Sequence, residues 1–402
     1  MVNDQHNSNR YKIALFVALA CVLQIAESLI PHPVPGLRLG LANILTVTAL
    51  VMLGFRYALE ITFLRTLLSS FIMGTFMSPG FMLSFTGAII STIIMGILFR
   101  FSILRIRHGL SIIGISIAGA FAHNMIQLLL AYLLLIKHSG ILIFFPWLSI
   151  GAVIMGYVIG LVSGGVCRNL TRLHEYDTQE DLPSLPQPQL IQQYVPGNSL
   201  LHRTPGHIKI MVVVGLSITV LIVDRFLIYF FLFGFLASAV LLSRTPVSFL
   251  FGKIKRYSSL ILLSFLLPFF FNSGTHPIVT VAHFNITHEG LITGALLASR
   301  ILFLILTSAM LIRTTSSEDM TCGLALLLSP LKYMGISARR TASIMSLSWN
   351  AVPVLWETTR EAISSADLKK AKNYRNLIPL LSRLISRLYL EVEKGGRFWR
   401  GY

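Results

Sequence analysis

Acidic residues are scarce in this 402-residue chain: 16 Asp and Glu stand against 33 Lys and Arg, and charged residues make up only 12% of the whole. A soluble domain carries about 25%, so most of this chain is expected in a bilayer. The formal charge of +17 would point to nucleic acid in a soluble protein, but in a membrane protein the bias of basic residues towards the cytoplasm must be examined first. Cysteine is nearly absent. Cys21, Cys167 and Cys322 lie far apart without metal-ligand spacing, which supports neither a disulfide framework nor a zinc site. The phosphate-cradling Gly-x-x-x-x-Gly-Lys-Ser/Thr loop does not occur, so any ATP that drives this protein is expected on another chain. The aspartate-rich motifs that hold magnesium diphosphate in prenyl-transferring enzymes are missing too. With few acids and no Cys/His cluster, neither catalytic residues nor a metal site is expected.

Long apolar runs fill the space. A helix that crosses the hydrocarbon core needs about 20 mainly apolar residues, and six candidates occupy 12–30, 38–54, 57–76, 81–99, 111–136 and 141–166. The first is too long for a signal-peptide core and lacks a small-residue cleavage site, so it is expected to stay as a helix. Loops on one side hold Arg10, Lys12, Arg56, Arg100, Arg105, Arg107, Arg168 and Arg172, whereas those on the other hold only Arg38 and Lys137. The first set is therefore expected in the cytoplasm. Acidic residues and Pro183, Pro186, Pro188 and Pro196 then mark an extended linker. A second part follows with spans near 208–223, 226–243, 257–271 and 290–312 and a polar outer stretch over 272–289. Ten spans would leave both termini in the cytoplasm of a multi-pass cell-membrane protein. Beyond Arg313 the charge returns, mostly basic. Over 374–392, Leu377, Leu380, Leu381, Leu384, Ile385 and Leu388 follow helical spacing around Arg383 and Arg387, the pattern of an amphipathic helix at an interface or on a partner.

Polar groups at membrane depth are costly and usually face a bundle interior or cavity. Gln24, Glu27, Arg38 and Asn43 cluster at the outer ends of the first two spans and are expected to rim a pocket. Arg38 is suited to holding an anionic group bidentately, with snorkelling to lipid phosphate as the rival reading. His123, Asn124 and Gln127 form a second candidate binding or gating group, with Asn124 and Gln127 at i, i+3 spacing. The plainer alternative is that such groups satisfy one another across helices, for example Glu60 with Arg65. Ala14 and Ala18 form a small-xxx-small spacing that lets another helix approach closely. Arg300 lies inside a span, where a structural partner on a neighbouring helix is expected.

The second half resembles a known family. His202-Arg203-Thr204-Pro205-Gly206-His207-Ile208-Lys209 is similar to the His-Arg-x-x-Pro-x-x-Lys entry of the transmembrane (T) components of energy-coupling factor transporters. The helix from Gly290 to Arg313 running into Thr314-Thr315-Ser316-Ser317-Glu318-Asp319 resembles their Thr-Thr-Ser-x-Glu-Asp step, and Leu328-Ser329-Pro330-Leu331, Met345-Ser346-Leu347 and Pro353 continue the series. The resemblance implies long cytoplasmic coupling helices ending in arginine-containing motifs that enter grooves of two ATPase subunits. Here the first motif falls near Arg360 and Ser365-Ala366-Asp367, without its arginine, and Asn350 replaces an arginine usual before the proline. Arg397 or Arg400 would serve in the second. A solvated basic tail near anionic lipid is the rival reading.

The first 170 or so residues resemble a different component. Pro35 to Asn43, Gly74 to Pro79, and Gly119 with Ala122-His123-Asn124 and Gln127 are similar to the Gx transporter family, often labelled heptaprenyl diphosphate synthase component I and akin to six-helix substrate-binding (S) components. The resemblance implies that Ala14 and Ala18 pack against the T component. The fold is then an all-α membrane protein: an S-like bundle over 1–168, a linker over 169–201, a T-like module over 202–314, and coupling helices over 315–402. The expected function is membrane import combining substrate capture and energy coupling. The partners would be two ABC-type ATPase subunits that bind the ATP, a small vitamin-like or isoprenoid substrate, and the bilayer, with no nucleic acid and no cofactor in this chain. The alternative is an accessory subunit of a heptaprenyl diphosphate synthase.

Overall fold

The computed structural model describes residues 2–29, 40–104, 110–136, 139–173, 194–197, 199–271, 277–281, 284–329, 338–365 and 374–394. The described chain is helical apart from one hairpin. The first half comprises α1 (Val2–Leu29), α2 (Leu41–Met52), α3 (Phe55–Met73), α4 (Pro79–Leu104), α5 (Ile112–Leu130) and α6 (Phe145–Leu173). Between the last two, α5 continues into a π-helical turn, Ala131–Ile136, and a 3₁₀ turn, Ser139–Phe144, leads into α6. The second half comprises α7 (Leu200–Arg203), α8 (Gly206–Ile222), α9 (Phe226–Ser243), α10 (Val247–Arg256), α11 (Ser258–Phe271), strands β1 (Pro277–Val281) and β2 (Phe284–Thr287), α12 (His288–Thr314), α13 (Ser317–Leu327), α14 (Ala338–Ser365) and α15 (Tyr374–Lys394).

Among the described residues, the segments long and apolar enough to cross a membrane are Pro79–Ser102, Ile112–Leu134, Ser139–Thr171, Phe226–Ser243 and His288–Thr314, with shorter apolar helices at Ala42–Met52, Gly206–Ile222 and Ser258–Phe270. α1 and α3, which carry more charge, are not in that set. α1 carries Arg10, Lys12 and Glu27, and α3 carries Arg56, Glu60 and Arg65. Much of their apolar surface is packed inside the protein: Ile13 to Val22 of α1 are at most 5% exposed. The polar 272–289 stretch contains the antiparallel β1–β2 hairpin, α10 is a helix the apolar runs do not mark, and α6 continues to Leu173 into the expected linker.

Glycines set how closely the helices approach. A side chain on Gly156 would lie 2.6 Å from the Ile117 Cα, and one on Gly160 would lie 2.7 Å from the Ile113 Cα, so α5 and α6 touch backbone to backbone. In the second half, a Cβ on Gly323 of α13 would sit 2.6 Å from the His207 backbone nitrogen of α8. Threonine hydroxyls stitch α2, α3 and α4 together: Thr46 and Thr62 Oγ1 atoms are 3.3 Å apart, and those of Thr62 and Thr92 are 3.1 Å apart. Such interhelical hydrogen bonds are ordinary glue in apolar bundles.

Candidate functional site

The two halves meet on α1. Ala14 and Ala18 are buried, one helical turn apart on the same face, and the Ser348 hydroxyl of α14 donates to the Ala14 carbonyl at 3.0 Å. Phe16 meets Tyr389 of α15 with ring centroids 5.2 Å apart. On α6, a side chain at Gly165 would lie 2.8 Å from the Ser382 Cβ of α15. α15 therefore lays its apolar face, including Ile385, Leu388 and Tyr389, on the first half and leaves Arg383 and Arg387 exposed. At the start of α3, Glu60 accepts from Arg340 Nη2 of α14 at 3.0 Å, and the same guanidinium lies over the Tyr57 ring. This corrects the suggested Glu60–Arg65 pair. Five residues advance a helix by about 500°, which leaves two side chains about 140° apart around the axis, and here each turns to a different neighbour.

Arg65 instead completes the polar group at the α1–α2 end. It is 4% exposed and donates through Nη2 to Asn43 Oδ1 at 2.7 Å and through Nη1 to Gln24 Oε1 at 3.2 Å. Glu27 accepts from the backbone nitrogens of Gly40 at 2.8 Å and Leu41 at 3.0 Å. Its carboxylate thus caps α2 from another helix, favoured by the positive end of the helix dipole. Gly40 has φ 76, a left-handed conformation that glycine adopts without steric cost. Sequence reasoning singled out Arg65 as a basic residue at membrane depth but set it beside Glu60, because its actual partners Gln24 and Asn43 lie far along the chain. Arg38, the expected anion-holding residue, lies outside the described residues.

On α5, His123 and Gln127 lie over Gly87 of α4, where an added Cβ would be 3.1 Å from His123 Nδ1 and 3.2 Å from Gln127 Cγ. Asn124 turns elsewhere and donates through Nδ2 to the Leu148 carbonyl of α6 at 2.9 Å. The expected Asn124/Gln127 face is therefore divided, with His123 and Gln127 facing α4 at i, i+4 spacing. All three are half-buried.

The motifs of the second half brace the exit of α12. Lys209 donates to the Thr314 carbonyl at 2.7 Å. Ser316 caps α13, accepting from the Asp319 backbone nitrogen at 3.1 Å and donating to Asp319 Oδ2 at 2.9 Å, so the Thr-Thr-Ser-x-Glu-Asp step is a helix start fixed from both sides. Arg300 pairs with Asp224 at 2.7 Å, a structural partner as expected. Arg360 is exposed on α14. Ala366, Arg397 and Arg400 lie outside the described residues.

Two family models match the chain. That described as heptaprenyl diphosphate synthase component I matches residues 16–166, and that described as cobalt transport protein matches 197–394. Among similar proteins, the energy-coupling factor transporter transmembrane protein EcfT of Brevibacillus brevis is 30% identical over 212 residues, covering 51% of this chain and 80% of the relative. Its counterpart from Bacillus selenitireducens is 30% identical over 224 residues with the same coverage. The Bacillus subtilis protein of that name is 28% identical over 214 residues, again covering 51% and 80%. With its apolar helices, its braced α12 exit and an S-like first half, the chain belongs to the family of energy-coupling factor transporter transmembrane proteins and is a membrane component of such an importer.

Proposed function

We propose that this one chain fuses a substrate-capturing module, 1–168, to an energy-coupling module, 202–314, through the segment 169–201, with 315–402 as coupling helices. The observation that carries this reading is the seat of α1 on α14 and α15, through Ala14, Phe16, Ser348 and Tyr389. A helix of the capturing half that rests directly on the coupling helices receives any displacement of them. Both termini lie in the cytoplasm, and two ABC-type ATPase subunits bind the ATP and dock on the coupling helices near Arg360, Ala366, Arg397 and Arg400. The substrate is a small vitamin-like or isoprenoid molecule held by Arg38, Asn43, His123, Asn124 and Gln127, with Arg65 placing the Asn43 amide. Closure of the ATPases shifts the population of the capturing half towards release, because the coupling helices contact it differently in the two states. Tethering raises the effective concentration of one module at the other.

The test is affinity purification of the full chain from membranes containing ABC-type ATPase subunits, with mass spectrometry of any small molecule carried along. Retention of an ATPase pair by the wild-type chain, reduced about tenfold by Arg397→Ala with Arg400→Ala, supports the reading. A chain that retains no ATPase but is required for prenyl diphosphate synthase activity sinks it. The synthase alternative rests on the description attached to the first-half match alone, whereas the relatives are transporter components.

A further inference from the structure

Among the described residues Arg300 is the largest side chain wholly withdrawn from the surface, and its five polar contacts come from both halves of the molecule. From the second half, Nε donates to the Val220 carbonyl at 3.0 Å and to Tyr229 Oη at 3.3 Å. Nη2 donates to the Val223 carbonyl at 3.3 Å and to Asp224 Oδ1 at 2.7 Å. From the first half, Nη1 donates to the Leu134 carbonyl at 2.9 Å.

The acceptors share a structural position. Val220 is in the last turn of α8 and Val223 is its C-cap, while Leu134 lies in the π-helical turn that prolongs α5. Carbonyls at a helix C-terminus look beyond the helix for donors and carry the negative end of its dipole. One guanidinium therefore caps two helix ends, one from each half, and Asp224 balances its charge. Lysine could not do this, since only the planar fork of arginine points donors along several fixed directions at once. The widened turn matters as well: π-helical turns inside α-helices frequently mark functional positions, and this one extends the helix that carries His123, Asn124 and Gln127.

The contact is remote from the other seams. Arg300 is 14 residues before Thr314 on α12, about 21 Å at the rise of an α-helix. Between them the Ser308 hydroxyl of α12 donates to the Gly74 carbonyl at the end of α3 at 3.3 Å. Around the clasp, Leu128, Ala131 and Ile141 of the first half pack with Leu221 and Leu267 of the second.

We propose that Arg300 is a positioning residue that clasps the far ends of the two halves, holding the π-helical end of α5 to α8 and α12, so that tilting the first half requires release of this contact. The role in tilting rests on the import reading above, whereas the clasp itself can be tested without any ATPase. Hydrogen–deuterium exchange on the full chain in lipid nanodiscs would compare wild type with Arg300→Gln and Asp224→Asn. The expected result for Arg300→Gln is exchange about tenfold faster at both helix ends, 130–136 and 220–225, as charge-assisted bonds at two termini are lost together. Asp224→Asn, at an exposed position, should give the same pattern at smaller size and keeps the test open if the first variant fails to fold. Acceleration confined to 220–225 in either variant would show a brace internal to the second half and overturn the clasp. Failure to retain an ATPase would leave the exchange pattern unchanged, so the two ideas fail separately.

Discussion

At the scale of single residues, the seam between the halves depends on small side chains and on a half-buried ion pair. Ala18 is fully buried on α1, and Ala18→Leu inserts methylenes where nothing can yield. Overpacking of this kind costs about 1–3 kcal/mol, so a lowered thermal midpoint in nanodiscs is the expected outcome, with larger loss than for Leu substituted at an exposed α1 position such as Tyr11. The Glu60–Arg340 pair behaves differently. Each side chain retains about a quarter of its exposure, which screens the attraction, and a double-mutant cycle of Glu60→Gln and Arg340→Met should return a coupling of up to about 1 kcal/mol. A coupling near zero would leave the stacking of Arg340 on Tyr57 as the whole contribution of that arginine.

Lys253 offers a pH handle on the same scale. On α10 it lies 5.5 Å from the Phe249 ring centroid, with Arg313 over the same ring at 4.7 Å. Burial, then the neighbouring Arg256, push its pKa down to about 8. A lysine whose folded pKa is below its unfolded value of 10.5 is more protonated in the unfolded state between the two, so its penalty is complete below pH 8 and fades as pH rises to 10.5. Lys253→Met should therefore raise the unfolding midpoint at pH 7, and the gain over wild type should shrink by pH 10.5. A constant difference across that range would mean that the charge is not the source.

Among the elements, α13 shows what a single turn contributes. Ser316→Ala removes its cap, an effect of about 1 kcal/mol. Gly323→Ala drives a methyl into the α8 backbone and should be the more damaging of the two, read as lost protection of both helices in hydrogen exchange; equal effects would place the cap above the packing.

How far the sequence foretold these elements depends on what apolarity signifies. The spacing of Leu377 to Leu388 marked the apolar face of α15, because burial on one side leaves a helical period whichever partner covers it. The motif around Ser316 foretold a helix start because capping chemistry is local. Hydropathy, however, does not say whether a side chain meets lipid or protein. α9 and α12 are similarly apolar, yet 17% of the best window of the former and 72% of the latter are buried inside the molecule. For the same reason the apolar run of α1 did not reveal that this helix packs against α14 and α15. Arg65 with Asn43 and Gln24, Arg340 with Glu60, and Arg300 with Leu134 escaped because each joins residues that only tertiary structure brings together.

Across the whole molecule, one core cluster contains α1 residues together with Ile344, Met345 and Leu355 of α14 and Ile385, Leu388 and Tyr389 of α15. The halves therefore share an interior. Thermal unfolding of the full chain should accordingly proceed as one transition, and Ala18→Leu should shift it as a whole. Two separate transitions, with only one of them moved by the substitution, would mean that the shared interior contributes little.

The position of α1 also has a consequence for the order of synthesis. Its contact with Ser348 spans 334 residues, and at about 5–20 residues per second the ribosome needs roughly 20–70 s to supply that partner. Throughout that interval α1 waits with that flank uncovered. The first half therefore emerges long before the helices that cover the α1 flank, and its packing is completed only when α14 and α15 arrive.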